Sequence, residues 1–371
     1  MRIALAGLAA LAVAMGIGRF AFTPLLPMML QDGGLTVAQG GWLASANYLG
    51  YFAGALWAGA MPVRAATAIR AGLAAIVLAT LAMGFEAGMA AWSLLRFVAG
   101  VASAWVLIHT AAWCLERMPA TRPILGGTLF SGVGFGIVLA GVLCVLLMAL
   151  HASASAAWFV LGVAALAITA VIWPVFTASG GAASAQAAAG PWTRAQVILV
   201  LAYSAYGFGY IIPATFLPVM ARQIIADPAV FGWAWPLFGA AAAASTFAVA
   251  GIARRTSHRA AWIGSHLVMA LGVAAPVCWP GLGGILLAAL CVGGTFVVIT
   301  QVGLQEARRV AGPQAARRLM AAMTAGFAAG QILGPLSVSV LVGAGGFTSA
   351  LLIACGVLIA GAGALLVRPR R

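Results

Sequence analysis

The sequence predicts an all-α membrane protein whose twelve transmembrane helices form two pseudo-symmetric six-helix bundles. The chain is 64% hydrophobic and 6% charged, with a mean hydropathy of +1.11. Its apolar runs of about 18 to 28 residues are each long enough to cross a bilayer. Residues 15–29 also recur, with changes, as residues 206–220, and the same offset of 191 positions carries Gly-Trp at 41–42 onto Gly-Trp at 232–233. A repeat of half the chain indicates two similar bundles that enclose a space between them.

The apolar runs define the elements in chain order, with six spans in each repeat. We assign residues 1–176 to an N-terminal six-helix bundle, 177–194 to a cytoplasmic linker and 195–371 to a C-terminal six-helix bundle. The linker is rich in Ala, Gly and Ser, which is typical of flexible connections. The predicted spans are residues 3–30, 38–61, 66–84, 89–114, 125–149, 155–176, 195–220, 230–252, 260–277, 282–305, 319–342 and 347–367.

The basic residues predict the topology. The formal net charge of +14 would suggest nucleic acid in a soluble protein. With a cytoplasmic N-terminus, however, sixteen arginines fall in inner segments and Arg222 alone falls outside, which is the positive-inside bias. We therefore predict a multi-pass protein of a bacterial-type inner (plasma) membrane with both termini in the cytoplasm. Its expected partners are the lipid bilayer and a small-molecule substrate, with no nucleic acid and no obligate protein partner.

Several function classes are disfavoured by the residues present. Because residues 15–29 have a counterpart deep in the chain, we expect the first span to belong to the fold rather than to a cleaved signal. The five cysteines lack a C-x-x-C pair and are interpreted as packing residues. The chain has no lysine for a phosphate-binding loop, and its four histidines form no H-E-x-x-H pattern. We predict no catalytic residues, no metal and no cofactor, and hence a protein that is not an enzyme.

Local motifs narrow the class further. The first span contains Ile-Gly at 17–18 followed by Pro-Leu-Leu-Pro at 24–27, and the fourth contains Arg-Phe-Val-Ala-Gly at 96–100. Residues 41–51 read Gly-Trp-Leu-Ala-Ser-Ala-Asn-Tyr-Leu-Gly-Tyr. With these motifs the whole chain resembles the major facilitator superfamily (MFS) and is similar to its YbfB/YjiJ-like branch. The resemblance implies that the first, fourth, seventh and tenth spans line a central cavity. It does not extend to the loop at residues 59–70, which lacks the acidic residue of the superfamily's commonest loop signature.

Arg19 and Arg96 are the only arginines that we place inside the hydrocarbon, both in its outer half. Each costs roughly 2.5 to 3.5 kcal/mol at a helix centre, which indicates a use. Planar, permanently charged guanidinium groups suit a carboxylate or a similar oxyanion, so both are candidate substrate-binding residues. We expect Arg19 to share a small, polar face with Gly16, Thr23 and Leu26.

The alternative for Arg96 is structural. Pro24 and Pro27 deprive the carbonyl groups of Phe20 and Thr23 of their helical donors, and an arginine of a neighbouring helix would satisfy them. Both interpretations of Arg96 stay open from the sequence.

Uncharged polar residues complete the candidate substrate-binding set. Tyr203, Tyr206 and Tyr210 lie at i, i+3 and i+7 of the seventh span, where they form a hydroxyl-bearing stripe on the face equivalent to that of Arg19. The alternative is a belt at the lipid interface. Within the second, tenth and eleventh spans lie the uncharged polar residues Asn47, Gln301, Thr300 and Gln331. Hydrogen bonding between helices explains them about as well as ligand contact.

No carboxylate is predicted at the bilayer centre, so proton coupling lacks its obvious residue. His109 and Glu306 are the candidates for such coupling, although His109 is better explained as a packed neutral side chain. We predict a secondary active or facilitative transporter that moves a small molecule, with an organic anion favoured, by alternating access between the two halves. The alternatives are a proton-coupled exporter of hydrophobic or cationic compounds and a membrane sensor that does not transport.

Overall fold

The computed structural model describes residues 1–32, 35–60, 63–86, 88–119, 121–177, 191–224, 233–252 and 256–367, with side chains except at 37–38, 215–224, 234, 250–252, 313–314 and 335–347. Within these ranges all regular structure is helical. The helical segments are Arg2–Leu11, Ala12–Phe20, Phe22–Gln31, Val37–Ala60, Ala65–Ala82, Gly88–Arg117, Pro123–Ala149, Ala154–Ile172, Trp173–Val175, Arg194–Ile224, Ala234–Ile252, His258–Cys278 and Leu282–Leu366. Most of the predicted linker, residues 178–190, lies outside the described part, as do Asp227 and Gly232.

The helices follow the predicted spans closely. In the described part of the chain, nine helices are long and apolar enough to cross a membrane, and they include Leu282–Gly312 for the tenth span and Thr348–Leu366 for the twelfth. Most predicted ends agree within about three residues because hydropathy falls where the chain leaves the apolar layer. The all-helical, membrane-spanning prediction is therefore confirmed.

The connection between the tenth and eleventh spans differs from the prediction. We expected a loop at 306–318, yet helical hydrogen bonding continues over Leu282–Leu366. The chain still turns back on itself, because a Cβ atom at Gly303 would lie 3.5 Å from the Met323 methyl group, whereas 20 residues of straight helix would separate them by about 30 Å. Gly312 makes the reversal possible with φ of +72°, a conformation that glycine adopts without steric cost.

The first span contains a π-helix that the sequence did not predict. Residues Ala12–Phe20 adopt the i to i+5 register between two α-helical segments, an uncommon geometry that is frequent at functional sites. The wider register breaks the predicted alignment of residues three apart. Gly16 accordingly faces Gly136 of the fifth span, while Arg19 reaches the second and eleventh spans, so the expected common face of Gly16 and Arg19 is wrong.

Glycines bring the helix backbones into direct contact. A Cβ atom at Gly16 would lie 2.3 Å from Cα of Gly136, and one at Gly207 would lie 2.2 Å from the carbonyl oxygen of Phe327. The first contact joins the first and fifth spans, and the second joins the seventh and eleventh. The same offset of 191 positions relates both residues of one contact to those of the other, so the repeat in the sequence is also a repeat in packing.

Gly16→Ala is expected to lower the unfolding free energy by about 1 to 3 kcal/mol, because the added methyl group meets rigid backbone. Gly41→Ala is the matched control: Gly41 also lies in a membrane helix, but nothing lies within 4 Å of its Cβ position. Thermal unfolding of the purified proteins in detergent measures both effects. Equal unfolding midpoints for the two variants would contradict the predicted close contact.

Candidate functional site

Arg19 is buried between the two predicted halves, with most of its hydrogen-bonding capacity unused. Its side chain is 3% exposed, and Nη2 donates to the Oε1 atom of Gln331 in the eleventh span. Nε and Nη1 are buried without a hydrogen-bond partner. Because an ionised guanidinium carries five N–H donors, one amide oxygen leaves it far from satisfied.

The described acids all lie elsewhere. Glu306 pairs with Arg309, Glu116 pairs with Arg117, and Asp32 accepts a hydrogen bond from the amide of Ala154. Glu86 is exposed to solvent. In the described residues, therefore, no carboxylate neutralises Arg19.

Aromatic rings surround the Arg19 guanidinium. Its Cζ atom lies 3.9 Å from the ring centroid of Tyr51, 5.3 Å from that of Phe20, 5.5 Å from that of Phe327 and 5.7 Å from that of Tyr48. These faces attract a cation, with about 2 kcal/mol or more for a desolvated contact. The Tyr51 hydroxyl also lies close to the guanidinium, but it is a neutral acceptor, and Nε and Nη1 still lack a hydrogen bond of normal geometry.

Arg96 lies in the fourth span and is hydrogen-bonded to the backbone of the first span. Its Nη1 and Nη2 donate to the carbonyl oxygens of Gly18 and Arg19, each at 3.2 Å. The structural role predicted for Arg96 is thus present, but the expected acceptors, Phe20 and Thr23, are wrong. The π register explains the shift, because the donor to the Arg19 carbonyl would come from five residues on, where Pro24 has no N–H.

Arg96→Leu is expected to lower the unfolding midpoint, because it removes two buried hydrogen bonds and leaves the Arg19 carbonyl, which Pro24 cannot serve, without a donor, at about 1 to 3 kcal/mol for that carbonyl. Arg70→Leu is the control, since Arg70 also donates to a carbonyl, that of Trp173, but in an exposed position. The unfolding midpoints of the two purified variants are compared by thermal unfolding in detergent. If Arg96→Leu is as stable as Arg70→Leu but weakens substrate binding, Arg96 contacts the substrate instead.

Asn47 is hydrogen-bonded to the backbone of Arg96. Its Nδ2 donates to the carbonyl oxygen of Arg96 at 2.9 Å, which ties the second span to the fourth, and its Oδ1 atom is buried without a partner. Asn47 is therefore joined to Arg19 through Arg96 rather than directly.

The three tyrosines of the seventh span form the predicted stripe, and all three are buried. Their rings are in contact in sequence order, with centroids 5.3 Å apart for Tyr203–Tyr206 and 5.7 Å apart for Tyr206–Tyr210. Phe327 packs against all three and also against Arg19, so it lies between the stripe and the charge. Because the stripe is enclosed by protein, a belt at the lipid interface does not describe it.

The remaining candidates make their contacts with other residues of the described part of the chain. Gln301 is buried near Gly126 of the fifth span, and its Oε1 has no partner. His109 is 13 residues from Arg96, about 20 Å along the helix, and its Nδ1 lies 2.9 Å from the carbonyl oxygen of Trp105. Glu306 is bound at both oxygens by Arg309, each at 2.7 Å. The structure thus groups Arg19, Arg96, Asn47 and the tyrosine stripe, and separates Gln301, His109 and Glu306 from them.

Two neighbours of Arg19, Tyr51 and Phe327, were not singled out as site residues from the sequence, and Gln331 was considered only as a polar residue that hydrogen bonding between helices explains about as well as ligand contact. Tyr51 lies four residues after Asn47, on the same face of the second span, so this spacing was a usable signal. Gln331 and Phe327 also lie four residues apart, on the eleventh span. Nothing in the sequence indicates that this face meets Arg19, because the contact joins residues 312 positions apart.

The helices and their buried cationic centre define the class: a polytopic membrane protein of the MFS transporter fold. The chain belongs to the family described as uncharacterised MFS-type transporter YbfB, whose model matches residues 11–366. No curated protein matches the chain. Among solved structures, the human organic anion transporter MFSD10 (TETRAN) shares the fold, with a TM-score of 0.72 over 98% of this chain and 99% of that chain. The two sequences are 15% identical, so this likeness shows the fold alone.

Proposed function

We propose that the protein is a secondary active or facilitative transporter that carries a small organic anion past Arg19 by alternating access between its two halves. The observation that carries the proposal is the buried Arg19 guanidinium, which has two nitrogen atoms without a hydrogen-bond partner and no carboxylate partner in the described residues. An unbalanced buried charge is strongly unfavourable. A substrate anion is the partner that would balance it.

The surroundings of Arg19 favour an organic anion over a small inorganic one. Tyr51, Phe20 and Phe327 present ring faces to the guanidinium, and Tyr210 stacks between Phe296 and Phe327 on the other side. Aromatic rings of this kind bind the apolar body of a ligand, while a tyrosine hydroxyl bonds its polar edge. That MFSD10, which has the same fold, is an organic anion transporter is consistent with this substrate class.

The contacts between the halves support alternating access. At the end that the arginine distribution places in the cytoplasm, Arg317 donates to the carbonyl oxygen of Val63 at 3.1 Å, and a Cβ atom at Gly59 would lie 3.1 Å from Cβ of Ala321. In the loop at residues 59–70, which has no acidic residue, the carbonyl group of Val63 thus accepts the hydrogen bond from Arg317. We propose that these contacts close the cytoplasmic end, with both termini on that side of a bacterial-type inner membrane. The remaining partners are the substrate and the bilayer.

Uptake by proteoliposomes tests the proposal with matched pairs of labelled probes that differ in charge, such as benzoate with benzylamine and hexanoate with hexylamine. Saturable uptake of carboxylates above the level of empty liposomes, without uptake of the amines, is the expected result. Uptake of the amines alone would indicate the exporter of cationic compounds. Stabilisation of the protein by carboxylates without any flux would indicate a sensor.

A further inference from the structure

Gln331 is the residue of the second half that meets the Arg19 charge. Its side chain is fully buried, and its Oε1 accepts the hydrogen bond from Nη2 of Arg19. Its Nε2 is buried without a hydrogen bond of normal geometry, and the nearest acceptor is the Tyr210 hydroxyl, which lies beside the amide. The amide therefore presents an unused donor at the same place as the unused donors of Arg19.

Ordinary packing does not account for this arrangement. Buried polar groups nearly always find partners, yet Nε and Nη1 of Arg19 and Nε2 of Gln331 have none. All three atoms are donors, and what they lack in common is an acceptor. A carboxylate has two oxygens with about four acceptor positions, which is the group that such a set of donors fits.

We propose that Gln331 is a ligand of a carboxylate site shared between the two halves, with Arg19 as the ligand from the first. In this structure the Gln331 amide oxygen occupies the place on Arg19 that one carboxylate oxygen of the substrate would take. After the exchange, that oxygen accepts from Arg19 and the other accepts from Nε2 of Gln331. The substrate then bridges the first and eleventh spans. The substrate class rests on the proposed function, whereas the site itself rests on the unpartnered donors.

Replacement of the Gln331 amide oxygen by a substrate carboxylate on Arg19 is energetically favourable. A hydrogen bond between a guanidinium and a carboxylate is charge-assisted on both sides and roughly twice as strong as a neutral one. The Gln331 amide oxygen is uncharged, so an anion outcompetes it on Arg19 while a neutral molecule of the same shape does not. The contact between the halves is thus weak enough to be replaced by the substrate.

Gln331→Glu tests the site without a known ligand, because it attaches a carboxylate at the proposed position. We expect this variant to have a higher thermal unfolding midpoint than the parent in detergent at neutral pH, since the new carboxylate neutralises Arg19. Arg19→Gln introduced into the same variant is expected to remove the whole rise. Uptake of benzoate and hexanoate by proteoliposomes is expected to fall to the level of empty liposomes, because the site is already filled.

Gln301→Glu is the matched control. Gln301 is also a buried glutamine of the second half, 1% exposed, but no arginine contacts it among the described residues. A carboxylate there is expected to lower the midpoint. The proposal is wrong if Gln331→Glu lowers the midpoint in the same way, if its rise persists with Arg19→Gln, or if carboxylate uptake continues unchanged. If the parent takes up no carboxylate while the Arg19-dependent rise is present, the proposed function fails and the carboxylate site stands.

Discussion

Arg19→Gln is expected to reduce carboxylate uptake by at least ~100-fold, because the substrate loses charge-assisted hydrogen bonds worth about 1.5 to 3 kcal/mol each. Arg19→Lys keeps the charge but not the planar fork, so a smaller but clear loss is expected. Initial uptake rates in proteoliposomes that contain equal amounts of protein measure both effects. Arg70→Gln serves as the control, because Arg70 is only half-buried and its partner is the carbonyl of Trp173, away from Arg19.

Stability separates a binding role for Arg19 from a structural one. Removing a buried charge that lacks an anionic partner removes a desolvation penalty, so the unfolding midpoint of Arg19→Gln is expected to equal or exceed that of the parent. A fall in the midpoint together with the loss of uptake would indicate that Arg19 supports the fold. Uptake at the parental rate would refute the anion-binding role.

A disulfide between Gly59→Cys and Ala321→Cys is expected to stop transport completely and reversibly. The Cβ atoms at these positions are about 3.1 Å apart across the two predicted halves, close enough for a disulfide with small adjustment. If the halves separate at this end during each cycle, the bond holds the protein in one state. Uptake is measured before and after oxidation, and again after reduction, in a background in which the five native cysteines are replaced.

The control disulfide joins Gly361→Cys and Ala205→Cys, which lie within the second half at a Cβ separation of 3.0 Å. Since the twelfth and seventh spans belong to one predicted bundle, this bond is expected to form without loss of uptake. Continued transport with the Gly59–Ala321 pair fully oxidised would show that this end does not open. Equal inhibition by both disulfides would show that the bundles do not move as separate bodies.

The division into two halves was predicted from a repeat that covers few residues, and packing follows the same repeat. The contacts Gly16–Gly136 and Gly207–Phe327 share the offset of 191 positions that relates residues 15–29 to 206–220. Glycine has a detectable pattern because close backbone approach tolerates no Cβ atom. Side chains that lie between the halves do not follow the repeat. Phe327, which contacts Arg19, corresponds by the offset of 191 positions to Gly136, which has no side chain.

Arg96 shows where prediction from one segment fails. Its role in binding freed carbonyl groups follows from Pro24 and from the absence of another donor in the lipid. Which carbonyl groups it binds depends on whether the first span is α-helical or π-helical at that point. In the structure this part of the first span is π-helical and packs against the fourth and fifth spans, and Gly18 and Arg19 replace Phe20 and Thr23 as acceptors.

The sequence by itself determined the spans, the repeat and the presence of two cations, Arg19 and Arg96, that the membrane does not tolerate without a use. The spans and the two charges are properties of single segments, fixed by hydropathy and by the free energy of placing a charge in hydrocarbon, and the repeat follows from comparing segments along the chain. Only the tertiary structure decided what Arg19 meets: the ring of Tyr51 at 3.9 Å and the amide of Gln331, 312 residues away. The physical reason is that these contacts depend on how two bundles are placed against each other, which no local pattern along the chain encodes.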